Sequence, residues 1–301
     1  MLEPQEGMTT RLVVERVKLA EELGFGAVFR SDHLLPTSGR RGIDSAECFV
    51  SLGAAAASTS KIHLGTLVSP LGFRNPALLA KMASSLQDLS NGRFELGVGA
   101  GWYEDEFRAF GIHYPGTKER IDRLRDALEL IRPLVKEGRA NYSGKYYSAD
   151  VEFFPKPVPS IPLLVGGAHK SLVKLAAKYC DEWNFLYMPE EEFIKLKDIF
   201  IASRTGGETK ISRMGPCVIS EDLDSIKKRV VEIAKRRGYN EEYSVVLEKL
   251  RKGGLFIGTP AEVSDQLNAW LGLGVDRFMF QFVEPFDLEG ARLLARELSS
   301  L

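Results

Sequence analysis

Asp32 and His33 stand together at the end of Ala27-Val28-Phe29-Arg30-Ser31, a short run whose composition suits a β-strand. An acid beside an imidazole at a strand end can hold the polar edge of a ring and exchange a proton near neutral pH, since free histidine titrates near about 6.5. From the dipeptide alone the plainer reading is a loop-capping acid next to an exposed imidazole in Ser31-Asp32-His33-Leu34-Leu35-Pro36. A second segment, Leu96-Gly97-Val98-Gly99-Ala100-Gly101-Trp102-Tyr103-Glu104, is denser in signal. It is not a dinucleotide fingerprint, because Trp102 holds the place of the last glycine and the segment lies in mid-chain. Its glycines would let a flat ring approach the backbone, and Glu104 and Glu106 follow as candidate acids or bases. A tight strand-to-helix turn with a solvated acidic first turn is the plainer reading of the same residues.

Leu164-Val165-Gly166-Gly167-Ala168-His169-Lys170-Ser171 puts two glycines and free amides between a strand and a helix start, an arrangement that suits a phosphate and also an ordinary turn. Asp181-Glu182-Trp183-Asn184 ends a later strand with polar groups directed to the same mouth. Cys48, Cys180 and Cys217 lack CxxC spacing, and His33, His63, His113 and His169 are scattered. Neither a metal site nor a disulfide framework is expected.

The elements that must position these residues alternate along the chain. Strand candidates are Ala27 to Ser31, Ile62 to Ser69, Phe94 to Gly99, Leu163 to Val165, Glu182 to Phe185, Arg213 to Ile219 and Asp276 to Phe282. Helical spacing recurs in Leu12 to Leu23, Ala46 to Ser58, Ala77 to Leu89, Glu104 to Phe110, Lys118 to Lys136, Ser171 to Tyr179, Glu190 to Ile201, Leu223 to Arg237, Ala261 to Leu271 and Leu288 to Leu298. Strand–helix alternation implies parallel strands joined by crossover helices. The expected fold is a (β/α)8 TIM barrel, one domain over residues 1–301, with insertions after strands 4 and 7. Only Met1 to Glu6 precede the first helix, so the first strand is short or truncated. Tyr142 to Pro159 reads as an irregular aromatic insertion.

The 301 residues carry 40 Lys plus Arg against 41 Asp plus Glu. A formal net charge of −1 provides no field for a phosphate backbone or an anionic bilayer, so nucleic acid and membrane are excluded as expected partners. No apolar run approaches the roughly 20 residues that span a bilayer, and Met1 to Gly7 lack signal-peptide regions. A cytoplasmic protein with a small-molecule substrate is the default expectation.

In their order, several segments resemble the luciferase-like monooxygenase superfamily, specifically its coenzyme F420-dependent oxidoreductase branch. These are Ala20-Glu21-Glu22-Leu23-Gly24-Phe25, Arg30-Ser31-Asp32-His33, Phe73-Arg74-Asn75-Pro76, Leu89 through Tyr103, Tyr114-Pro115, Glu119-Arg120, Gly166-Gly167 and Ile257-Gly258-Thr259-Pro260. The resemblance implies a deazaflavin in the barrel mouth, backed by a non-prolyl cis peptide at Leu67-Val68. It implies that Asp32 touches the polar ring edge, that Ala100 and Gly101 line the ring, that Gly166 and Gly167 hold the phosphate, and that Asn184 adds a cofactor contact. His33 would act near the hydride-transfer centre, with His33, Glu106 or Glu104 handling the proton. Sugar-phosphate dehydrogenases of this branch carry a carboxylic acid where this chain has Trp102, so the proton donor lies elsewhere. Trp102 and Tyr103 would instead wall an aromatic or unsaturated substrate. The resemblance further implies a homodimer, and Ala54-Ala55-Ala56-Ala57 would permit close helix approach. Two alternatives stay open: an FMN-dependent monooxygenase of the same fold, and a non-catalytic flavin or deazaflavin binder.

Overall fold

The computed structural model describes residues 1–282 and 287–298; the rest of the 1–301 span lies outside the described residues. Thr9 caps α1 (Thr10–Glu22), its hydroxyl accepting the Leu12 N–H at 3.2 Å, which satisfies one of the helix's orphan donors. The chain continues through β1 (Ala27–Arg30), α2 (Cys48–Ser58), β2 (His63–Thr66), β3 (Ser69–Pro70), α3 (Pro76–Leu89) and the fully buried β4 (Phe94–Gly99). A first excursion then holds α4 (Glu104–Ala109), α5 (Thr117–Glu137), and an antiparallel hairpin of β5 (Arg139–Ser143) and β6 (Ser148–Glu152). The alternation resumes with β7 (Leu163–Gly166), α6 (Lys170–Tyr179), β8 (Glu182–Leu186), α7 (Glu190–Ser203) and β9 (Lys210–Ile219). A second excursion, α8 (Leu223–Arg237), α9 (Tyr243–Lys252) and β10 (Phe256–Gly258), precedes α10 (Pro260–Gly272), β11 (Arg277–Phe282) and α11 (Leu288–Leu298).

All pairings in the main sheet are parallel: β1, β2, β4, β7, β8 and β9 follow in order, and β11 pairs β9. Two residues close the ring. Leu2 N–H donates to the Phe29 carbonyl at 2.8 Å and the Leu2 carbonyl accepts from Ser31 N–H at 3.2 Å, while the Met1 amine donates to the Phe280 carbonyl at 2.9 Å. The first strand is thus as short as the sequence implies. Beneath it, between β1 and β11, lies a cavity of about 480 Å³ whose walls include Leu19, Phe25, Phe29 and Phe278 together with the charged side chains of Glu95, Lys210 and Arg277.

Three elements depart from the sequence reading. The stretch read as irregular from Tyr142 begins inside a hairpin, tied down by Asp126 of α5, whose carboxylate accepts from Tyr142 Oη at 2.6 Å and from the Tyr146 and Tyr147 N–H groups at 2.6 and 2.9 Å. Helix α9 and strand β10 were not foreseen. They share a small separate core of Val218, Ile226, Val230, Val246, Leu250 and Ile257 at the outer end of β9.

The barrel interior is layered. At the strand starts, Arg277 bridges Glu95 (2.8 Å) and Glu182, with His63 Nδ1 3.2 Å from Glu95. Above them Phe29, Leu67, Leu164, Met214 and Met279 form an apolar plug. The open cavity begins on top of that plug, at the carboxyl ends of the strands, where barrels of this kind carry their sites.

Candidate active site

This cavity measures about 1010 Å³ and is bordered by His33, Leu67, Val68, Ala100, Gly101, Trp102, Gly166, Gly167 and Asn184. Its floor turns on the Leu67-Val68 peptide, which is cis. Val68 needs room on three sides, and glycines provide it. A Cβ on Gly99 would stand 2.6 Å from a Val68 methyl, and one on Gly166 2.9 Å from the other; one on Gly97 would meet the Thr66 carbonyl at 2.1 Å. Gly101, at φ +79°, turns the chain from β4 toward Trp102 against the Phe107 ring. The glycines therefore seat the cis peptide first, and expose a flat floor as a result.

His33 and Ser31 both face the cavity. Glu106, 1% exposed, accepts from Leu34 N–H at 2.9 Å through one oxygen and lies 2.9 Å from His33 Nδ1 through the other. That contact fixes the ring and leaves Nε2 as the nitrogen the cavity can reach. Glu106 itself does not border the cavity.

Other candidates sit elsewhere. Asp32 is 1% exposed, does not border the cavity, and pairs with Arg74 at 2.6 Å; Arg74 also reaches Glu47 at 2.8 Å and lies over the Phe49 ring. Neighbouring residues of an extended chain point to opposite faces, so once Ser31 and His33 look inward Asp32 looks out. Glu104 is exposed and spent on Arg108 at 2.8 Å, one turn along α4. Tyr103 stands behind Trp102, ring centroids 5.3 Å apart, rather than on the cavity wall. Gly167 N–H already donates to the Asn184 carbonyl at 2.9 Å and its carbonyl accepts from Trp183 Nε1 at 2.9 Å. At the start of α6 the Ser171 N–H donates to His169 Nδ1 and the Leu172 and Val173 N–H groups to the His169 carbonyl, so the first-turn amide left to meet a phosphate there would be that of Lys170, with the glycines clearing its approach.

Sequence reasoning missed the wall built by the N-terminal residues. Ser31 Oγ donates to Gln5 Oε1 at 2.6 Å, Gln5 donates to Glu3 at 2.7 Å, and Gln281 donates to Glu3 at 3.0 Å. Glu6 gathers the 37–40 loop, accepting from Thr37 N–H at 2.8 Å, from Ser38 and from Arg40. Burial pushes the Glu6 carboxyl up, but the bonds from Ser38, Arg40 and Thr37 outweigh it and hold the group below its ordinary value. No three-residue cluster of His, Cys, Asp or Glu suited to a metal occurs among the described residues.

Residues 2–277 match the family model described as luciferase-like monooxygenase. The chain is 29% identical over 247 residues to an F420-dependent glucose-6-phosphate dehydrogenase of Amycolatopsis mediterranei (strain U-32), covering 80% of this chain and 69% of that protein. A protein of the same description from Beutenbergia cavernae is 39% identical over 165 residues, covering 54% of this chain and 48% of the relative. The matched part thus spans between about half and about two thirds of these curated relatives. Among solved structures, an F420-dependent secondary alcohol dehydrogenase in complex with an F420-acetone adduct superposes with a TM-score of 0.81 at 20% identity, over 99% of this chain and 97% of that one. The monooxygenase RslO1 from Streptomyces bottropensis gives 0.79 at 24%, over 99% and 98%. These superpositions establish a shared barrel fold.

Proposed function

Because the chain belongs to the luciferase-like monooxygenase family, we propose that it is an oxidoreductase that uses coenzyme F420 to move a hydride to or from a small organic substrate. The observation that carries the reading is the convergence of His33, the cis Leu67-Val68 peptide, Ala100, Gly101, Gly166 and Asn184 around one cavity of about 1010 Å³. Its volume suits a cofactor and a substrate together, and relatives named for F420 dependence are 29% and 39% identical over the parts that match.

The coenzyme, when bound, supplies a ring carbon that gives or takes a hydride. The chain does the rest. Leu67 and Val68 would support one face of the ring, and Gly166 and Gly167 would open the way to the Lys170 N–H at the start of α6. Asn184, whose Nδ2 donates to Ser212 Oγ at 2.9 Å, is held with its side chain at the floor. His33, oriented by Glu106, holds or releases the accompanying proton at Nε2.

Fluorescence titration with F420 and, separately, with FMN tests the cofactor assignment. F420 should bind at least tenfold more tightly; tighter binding of FMN would move the protein to the monooxygenases, and F420 binding without turnover of any substrate would favour a carrier. We also infer a homodimer acting in the cytoplasm. Val50 and Ala57 of α2 are exposed while Ala55 and Ala56 are buried in the core between the helices and the sheet, so the outer face of α2 is available to a second copy. Sedimentation would detect this. No helix among the described residues is long and apolar enough to cross a membrane, and the three cysteines are free and buried.

A further inference from the structure

Trp102 is the largest side chain on the cavity wall, and 64% of it is exposed. An exposed indole on a cavity wall offers apolar area that a ligand would gain by covering. Its backbone does not wander, because Tyr114 Oη donates to the Trp102 carbonyl at 2.9 Å and Gly101 fixes the turn before it. Its ring is held as well. Tyr103 backs it at 5.3 Å, and the His33 imidazole meets it edge-on at 5.6 Å and 81°. A fixed flat apolar surface therefore adjoins the one imidazole that can exchange a proton with the cavity. Leu186, 51% exposed at the end of β8, is a second apolar group bordering the cavity, two strands along the sheet from β4.

The charged groups of this cavity offset one another. Arg40 is engaged by Glu6, and Arg236 shares its stretch of wall with the carboxylates of Glu3 and Glu6. Two cations against two anions, with both anions accepting hydrogen bonds, make a poor receptor for a phosphate dianion.

Resting on the F420 reading above, we propose that Trp102 is the specificity-determining residue of this site and that it selects planar, conjugated carbonyl compounds as hydride acceptors. Stacking on the indole holds the conjugated plane beside His33. In the reaction the alkene carbon β to the carbonyl receives hydride from the reduced coenzyme, which returns to its oxidised form. The α carbon receives the proton from His33 Nε2, so that two C–H bonds form and one C=C π bond is consumed. The proton released by the coenzyme on oxidation returns to His33 through solvent. A single proton donor is all this stoichiometry requires, and no carboxylic acid is needed at position 102.

The test uses wild type, Trp102→Ala and Trp102→Phe, with trans-cinnamaldehyde and glucose 6-phosphate as probes. F420 affinity, read by deazaflavin fluorescence, should agree within threefold across the three proteins. Oxidation of reduced F420 by cinnamaldehyde should show KM raised about tenfold in Trp102→Ala with kcat little changed, and largely restored in Trp102→Phe. Glucose 6-phosphate should leave oxidised F420 unreduced. The proposal is overturned if a wild type that binds F420 fails to reduce cinnamaldehyde, if KM ignores Trp102→Ala, or if glucose 6-phosphate is oxidised. Failure to bind F420 at all would instead strike the functional reading itself, and this proposal with it.

Discussion

His33 and Glu106 divide one task between them. The imidazole meets the cavity, and the carboxylate behind it decides which nitrogen does so. Replacing His33 by Asn should cut kcat by about 10² to 10⁴-fold while F420 still binds, because a positioned acid–base group contributes about that much. Glu106→Gln preserves shape and the bond to Leu34 N–H only in part, and should lower kcat by a smaller factor of roughly tenfold or more. Glu104→Gln, on an exposed residue paired with Arg108, should match wild type in steady-state turnover. Equal losses at 104 and 106 would refute the assignment. These roles show where the sequence was legible. His33, Gly101 and Gly166 could be singled out because they stand at strand ends, and strand ends converge in a barrel, whereas Val68 followed only from the family resemblance. Asp32 and Glu104 were misplaced because adjacency in sequence does not determine facing. One lies a single residue from His33 on an extended chain, the other two residues from Glu106 on a helix, and both offsets turn a side chain away.

At the scale of elements, the first excursion depends on one buried carboxylate. Asp126 binds Tyr142, Lys145, Tyr146 and Tyr147, so the β5–β6 hairpin hangs from α5. Burial raises its carboxyl, but the Tyr142 hydroxyl and those three N–H groups more than compensate and hold it below the ordinary aspartate value. A depressed folded value means the stabilisation is complete above the ordinary aspartate range and is lost as pH falls through the folded value. Asp126→Asn should therefore lower stability by about 1–3 kcal/mol near neutral pH. In denaturant titrations the gap between variant and wild type should close in strong acid; a gap independent of pH would contradict the charge-based account. This hairpin escaped sequence reading because its stability comes from a residue of α5 that precedes it. Strand β10 escaped for a related reason: three residues, Phe256 to Gly258, show no periodicity and owe their extended form to β9.

Among the described residues the ring is closed between β1 and β11 by Met1 and Leu2, and the backbone groups on that arc can be followed one by one. Along β1, Gly26 and Arg30 carbonyls accept from His63 and Leu67 N–H groups of the β2 side, whereas the Phe29 carbonyl accepts from Leu2 on the other. Backbone groups of a parallel strand alternate between neighbours. The Ala27 and Phe29 N–H groups therefore turn toward the 480 Å³ cavity below Leu2. Across the ring, β4 is flanked by β2 and β7 and is buried along its whole length. Local opening is easiest where backbone groups have fewest partners. Native-state hydrogen exchange should accordingly find the Phe29 amide much less protected than that of Leu96 or Val165, by about 1 kcal/mol or more, which is the usual worth of a backbone hydrogen bond. The side chains of Phe29 and Met279 belong to the apolar plug under the active-site cavity, so opening on that arc would reach the cofactor floor. Binding of F420 should then slow exchange at Phe29 more than at Leu96, since a ligand that binds only the closed ring stabilises it by mass action. Equal protection of Phe29 and Leu96 in the free protein would mean that the arc between β1 and β11 is sealed in solution, and the barrel would have no preferred point of opening.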